Sequence, residues 1–148
     1  MYTKINEKDS AMKLGAIYSK EKTTFTLFSP VADSVFVIFY DKGNDSAETG
    51  RLEMVRGEGE LRSIFSATAE GNLDGVYYTY EVHTSDGTFS SHDPYARACG
   101  VNGHRSMVID LSKTDPDGFA DEDRPKLADP MSMVITEVSI VDVSAGAS

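Results

Sequence analysis

From Val76 to His83 the chain alternates without a break. Val76, Tyr78, Tyr80 and Val82 fall on one side, and Tyr77, Thr79, Glu81 and His83 on the other. Successive side chains of an extended backbone point to opposite faces, so this is a half-buried strand. Tyr and Val suit it because they pack well on a pleated surface. Ser85-Asp86-Gly87 follows, and Asp-Gly is a hairpin signal. Thr88 to Ser91 then reads as the return strand. Asp93-Pro94 stops it, because Pro donates no hydrogen bond and restrains the residue before it. Met107, Ile109 and Leu111 alternate with Ser106, Val108 and Asp110, which predicts one more strand.

The chain before this centre has the same character. Strands are expected at Leu14–Tyr18, Thr24–Phe28, Val35–Tyr40, Leu52–Val55 and Leu61–Thr68. Turns lie between them at Ser19–Lys22, Ser29-Pro30, Gly57–Glu60 and Asn72–Gly75, and a polar loop at Asp41–Gly50. The run VFVIFY at 35–40 is apolar throughout, as in a strand covered on both faces or central in a sandwich. No long helix is indicated before Leu111. The fold class is therefore all-β, an antiparallel β-sandwich.

Between the last two strands, His92 to Arg105 forms a long loop holding Asp93, Tyr95, Arg97, Asn102, His104 and Arg105. Loops of this kind carry binding residues on many sandwiches, but a crossover pinned by its own hydrogen bonds would look the same. Cys99 is the single cysteine, so no internal disulfide forms. Its expected state is that of a small buried hydrophobe. His83, His92 and His104 share no ligand spacing, so no metal site is predicted, and no cofactor-binding motif is present. A GxSxG elbow is also absent, and carboxylates alone identify no acid–base pair.

The net charge of −10 argues against nucleic acid and against anionic membrane surfaces, which favour basic patches. No segment approaches the ~18 apolar residues of a membrane span. The start, MYTKINEKDSAMKLG, has no apolar run of the signal-peptide kind. The expectation is a cytoplasmic protein if Met1 is the native start, and an extracellular one if a signal has been removed. Residues 1–13 read as a lead-in, 14–111 as the sandwich, 112–132 as an acidic linker with Pro116, Pro125 and Pro130, and 133–148 as one further strand, Met133–Val143, with a tail.

Four stretches, in this order, resemble the N-terminal half of type I pullulanases, the α-glucan debranching enzymes. LGAIYSKEKTTFTLFSPVADSVFVIFYD is similar to their opening strands. NLDGVYYTYEV resembles L-x-G-x-[YF]-Y-x-Y-x-V. HDPYARACGVNGHRSMVIDL resembles DPYA-x-A-x-x-x-NG-x-[RK]-[SG]-x-V-[IV]-DL. TDPDGFADEDRPKLADP resembles the linker that ends N-x-x-RP. The resemblance spans roughly residues 14 to 143. It implies an immunoglobulin-like sandwich, the isoamylase N-terminal domain or carbohydrate-binding module family 48, ahead of a catalytic (β/α)8 barrel. Met133 to Ser144 is similar to that barrel's first strand. It keeps Glu137, Val138, Asp142 and Ser144, but has Thr136, Ser139, Val141 and Val143 where the family has Tyr, His, Arg and Phe.

The resemblance implies a non-catalytic accessory domain, because the barrel and its carboxylates have no counterpart in this sequence. Asp93, Tyr95 and Arg97 would face the barrel, or would only brace their loop. Glucan-binding members use two tryptophans, a lysine and an asparagine. This chain has no Trp; Phe89 falls near one Trp position and Thr79 near the lysine, while Asn102 and His104 could supply donors. A starch-, glycogen- or pullulan-type α-glucan is thus the expected ligand, with Phe89, Asn102 and His104 as its contacts. The alternative is a free-standing interaction module, dimerising through Met133–Val143 without binding sugar.

Overall fold

The computed structural model describes residues 13–123 and 126–140. Two compact units divide the chain, the first ending at Thr114 and the second beginning at Asp115.

Ten strands lie among the described residues of the first unit: β1 (Gly15–Tyr18), β2 (Lys22–Phe28), β3 (Ser34–Tyr40), β4 (Glu48–Glu53), β5 (Val55–Arg56), β6 (Ile64–Glu70), β7 (Tyr77–Thr84), β8 (Gly87–Ser91), β9 (Ala98–Cys99) and β10 (Ser106–Met107). All pair antiparallel, in two sheets. The first sheet runs β1-β2-β6-β5. The second runs β4-β3-β7-β10-β9, with β8 also on β7. The all-β sandwich read from the sequence is the fold observed.

β7 is the centre of the second sheet. One edge takes β3 along its length, with Ser34 opposite His83 and Tyr40 opposite Tyr77. The other edge is shared: β10 takes Tyr77 and Tyr78, and β8 takes Tyr80 to Thr84. The two-residue turn Ser85-Asp86 makes the predicted hairpin, closed on Gly87 at φ 138°. The inward face of β7 carries Tyr78 and Tyr80, both fully buried. They meet Phe25, Leu27, Val35, Val37, Phe65 and Val108 in the core. Burying each such side chain contributes about 1.5–3 kcal/mol. Phe25 of one sheet meets Tyr78 of the other edge-on, with ring centroids 5.0 Å apart. That geometry suits the ring quadrupoles.

A buried phenol needs a partner for its hydroxyl. Here both find the same one. Tyr78 Oη donates to Asp93 Oδ2 at 2.7 Å and Tyr80 Oη donates to it at 3.1 Å. The Tyr95 amide donates to Asp93 Oδ1 at 2.8 Å, and the Asp93 amide donates to Ser106 Oγ at 2.8 Å. Burial first, then the Asp93 charge, pushes both phenols well above the usual tyrosine range, so they remain donors. Asp93 is thus an interior brace.

Four expectations are corrected. The single strand at Leu52–Val55 is two, because the chain changes sheets there: Leu52 pairs with Val37 in the second sheet, Met54 is buried in the core, and Val55 pairs with Ser66 in the first. The strand at 106–111 keeps only Ser106 and Met107 as a ladder, and its buried face is Ser106, Val108 and Asp110. Cys99 is exposed, since it lies on the short edge strand β9. Met133 to Ser139 form no strand, and the described residues of the second unit, which include 3-10 turns such as Phe119–Asp121, offer no ladder to join. Residues 141–143 lie outside the described chain.

The unbroken VFVIFY run has a physical reason. Val35 and Val37 face the core, while Phe36 and Tyr40 face outward under guanidinium groups. Arg51 lies 5.9 Å from the Phe36 ring centroid and Arg105 lies 3.5 Å from that of Tyr40.

The end of the sandwich is tied by charge. Lys113 Nζ donates to Asp74 Oδ2 at 2.6 Å, and the Asp110 amide donates to Asp74 Oδ1 at 2.8 Å. Together they hold the Asp74 carboxyl below the usual carboxylate range. Ser112, by its hydroxyl and then its amide, does the same for Asp110. A carboxyl depressed in the folded state stabilises the fold above its unfolded value and loses that contribution as pH falls through its folded value. The unfolding midpoint should therefore hold from neutral pH down to about pH 4 and drop below it. Asp74→Asn should flatten that acid limb; an unchanged acid limb, read by thermal unfolding at several pH values, would contradict the assignment.

Candidate functional site

The loop after β3 and the loop before β10 close on each other through two glycines. A Cβ on Gly100 would stand 2.5 Å from the Gly43 Cα and 2.8 Å from the Gly43 carbonyl oxygen. Only two bare backbones approach so closely. Arg105 fastens the pair. Its guanidinium donates to the Lys42 carbonyl at 2.7 Å, the Ser46 hydroxyl at 2.8 Å and the Ser46 carbonyl at 2.9 Å, while stacking on Tyr40. The planar fork makes these contacts together, which a lysine would not do. Tyr40 Oη and Thr79 Oγ1 lie 3.3 Å apart, joining the ring to β7.

Above this base lies a pocket of about 390 Å³. Tyr40, Asn44, Ser90, Asn102, His104 and Arg105 line it, with Asp45 and Thr79. Asn102 takes a left-handed backbone (φ 52°), as does Asp45 (φ 46°). Asn and Asp tolerate this better than other side chains. Arg105 already gives three of its five N–H donors to oxygens of its own chain, and one face of Tyr40 is covered by it. The side chains of Asn102 and His104, by contrast, make no hydrogen bond among the described residues. The pocket can therefore offer hydrogen bonds to a polar ligand such as a polyol, but no open aromatic platform.

The expected sugar contacts separate. Asn102 and His104 share the pocket. Phe89 does not join them. It sits opposite Val82 on the inward-facing side of β8, while Ser90 beside it faces the pocket. Phe89 is 54% exposed because β8 is an edge strand. Thr79, near the family's lysine position, is buried under Tyr40. Tyr40 and the Arg105 clamp were not expected as site residues. A tyrosine at the end of an apolar strand followed by a polar Gly-Asn loop was the available signal.

Tyr95 and Arg97 lie elsewhere, in a second groove of about 610 Å³ beside β1. Asp93 positions them through the Tyr95 amide and the 93–96 turn, closed by the Ala96 amide on the Asp93 carbonyl at 3.1 Å. Among the described residues no cluster of three His, Cys, Asp or Glu could hold a metal ion, and no helix is long and apolar enough to cross a membrane.

Comparison with known proteins agrees with this fold. Residues 13–96 match the family described as Carbohydrate-binding module 48 (Isoamylase N-terminal domain). "Pullulanase A" of Streptococcus pneumoniae serotype 4 is 31% identical over 116 residues, covering 74% of this chain and 9% of that protein. The pullulanase of Paenibacillus barengoltzii, solved in complex with maltohexaose and alpha-cyclodextrin, superposes with TM-score 0.76 at 34% identity, over 85% of this chain and 19% of that one. The Bacillus acidopullulyticus pullulanase gives TM-score 0.72 at 35% identity, over 80% of this chain and 14% of that one. The chain thus spans less than a fifth of the length of each of these proteins.

Gly100→Ala tests the closure beneath the pocket. The added methyl group meets backbone, which cannot swing away, so a loss of about 1–3 kcal/mol is expected in urea unfolding. Gly50→Ala, where nothing lies within 4 Å, should change stability by less than about 0.5 kcal/mol. Equal effects at the two positions would contradict the packing described.

Proposed function

The chain belongs to the carbohydrate-binding module 48 family, and we propose that it serves a longer, pullulanase-like α-glucan-debranching protein as a non-catalytic accessory domain. Two roles follow: contact with α-glucan through the Asn102–His104 pocket, and packing on a catalytic barrel through Tyr95 and Arg97. The family match and the pullulanase relatives support the first part of the reading. Glycoside hydrolysis uses two facing carboxyl groups. The pocket and the groove each carry one carboxylate, Asp45 and Asp110, and Asp110 is engaged by Ser112.

The observation that carries the sugar contact is the pair of uncommitted side chains, Asn102 and His104, on a base made rigid by Arg105. Hydroxyl-rich rings are recognised by such donors and acceptors together with stacking aromatics. There is no Trp in the chain, and Tyr40 shares its face with Arg105. The affinity is accordingly low, with a Kd of about 1 mM.

Affinity gel electrophoresis on glycogen, amylopectin and pullulan tests this. The wild-type chain should be weakly retarded, and Asn102→Ala with His104→Ala should abolish the effect. Phe89→Ala should leave it intact, because that ring faces away from the pocket. Retardation lost with Phe89 and kept without Asn102 and His104 would move the sugar site. No retardation on any of the three glucans would remove the sugar contact and leave the packing role.

A further inference from the structure

β1 is an edge strand whose sequence does nothing to protect it. On one side it pairs with β2, and among the described residues no strand takes the other side. Natural edges are blunted by charge, proline, bulges or a covering element. Gly15-Ala16-Ile17-Tyr18 has no charge and no proline, and its register with β2 is regular.

The second groove follows this edge. Ala16, Ile17 and Tyr18 all line it, so it is bordered by side chains from both faces of the strand. It therefore runs along the edge rather than over one face. Its far wall is Tyr95, Arg97, Ile109 and Leu111. Ile17, Tyr95 and Leu111 are each about half exposed, at 43%, 49% and 52%. At its head the groove is closed: a Cβ on Gly15 would come within 2.8 Å of the Tyr95 Cβ.

Arg97 adds a charge. In a chain with a net charge of −10, its guanidinium makes no ion pair or hydrogen bond among the described residues. Lys13, at the same groove, makes none either. Two uncommitted cations flank a largely apolar slot beside a bare strand edge, and the one carboxylate lining it among the described residues, Asp110, is engaged by Ser112. An incoming strand at ~3.3 Å per residue would lie along Ala16, Ile17 and Tyr18 for about 10 Å.

We propose that this groove accepts an extended, acidic–aliphatic segment of a partner polypeptide as a fifth strand of the first sheet. The segment's main chain bonds to the free edge of β1. One of its carboxylates meets Arg97, with Lys13 nearby, and its aliphatic side chains enter between Ile17 and Leu111. Main-chain pairing of this kind supplies affinity, and alternate side chains supply selection. The proposal rests on the packing half of the function above and is independent of the sugar pocket.

The probe is a soluble peptide, Ac-SVTVEVTS-NH2, with Ac-SVTVKVTS-NH2 as its counterpart. Each is titrated into the isotope-labelled full chain and followed by amide NMR and hydrogen exchange. The glutamate peptide should bind saturably, shifting and protecting amides within Gly15–Tyr18, at least tenfold more tightly than the lysine peptide. Arg97→Glu should reverse that preference without moving the unfolding midpoint, since Arg97 has no partner to lose among the described residues. Shifts confined to residues outside the groove, no saturation, or a preference unchanged by Arg97→Glu would overturn the proposal. Glycogen should not compete with the peptide; competition would place both ligands at one site and also overturn it. Retardation by glucan is read separately, so either result stands whatever the other gives.

Discussion

A carboxylate in an apolar interior must be fully hydrogen-bonded or its burial destabilises the fold. Asp93 meets that condition with three donors and, among the described residues, no cation: the hydroxyls of Tyr78 and Tyr80 and the amide of Tyr95. Its own amide then binds Ser106 at the start of β10. The residue thus sits where β8 leaves the edge of β7 and β10 takes it over. It joins the core, the crossover loop and the last strand at one point. Bonds to an ionised acceptor are roughly twice as strong as neutral ones, which is why one side chain can hold so many elements.

Both candidate surfaces hang from that point. Before it lies β8, which brings Ser90 to the pocket. After it come Tyr95 and Arg97 on the groove, then Asn102, His104 and Arg105 on the pocket. Arg105 extends the arrangement outward by fixing the 41–47 loop through Lys42 and Ser46. The crossover is therefore pinned by its own hydrogen bonds and also presents side chains that those bonds do not use. The two readings of this loop are compatible, because different residues serve them.

The alternation at 76–83 was enough to place β7 and its hairpin, since a period of two leaves little choice of face. VFVIFY was legible as a covered strand, but what covers its outer face was not. Arg51 and Arg105 come from residues 15 and 65 positions away, and no local pattern announces a guanidinium over a ring. The change of sheet at Met54 was hidden for a similar reason. A strand that crosses between sheets keeps an uninterrupted β pattern through the crossing. Strand parity puts Phe89 and its neighbour Ser90 on opposite faces of β8, and only Ser90 faces the pocket; a match to a family position does not fix that parity.

The central claim is that the Asp93 carboxylate, as a charged acceptor, holds the crossover to the core. Equilibrium urea unfolding of Asp93→Asn tests it most directly, because the amide keeps the shape but turns one acceptor into a donor. The account predicts a loss of about 2–3 kcal/mol, since a buried donor would then face a donor. Stability within about 0.5 kcal/mol of the wild type would show that shape alone suffices there, and would contradict the claim.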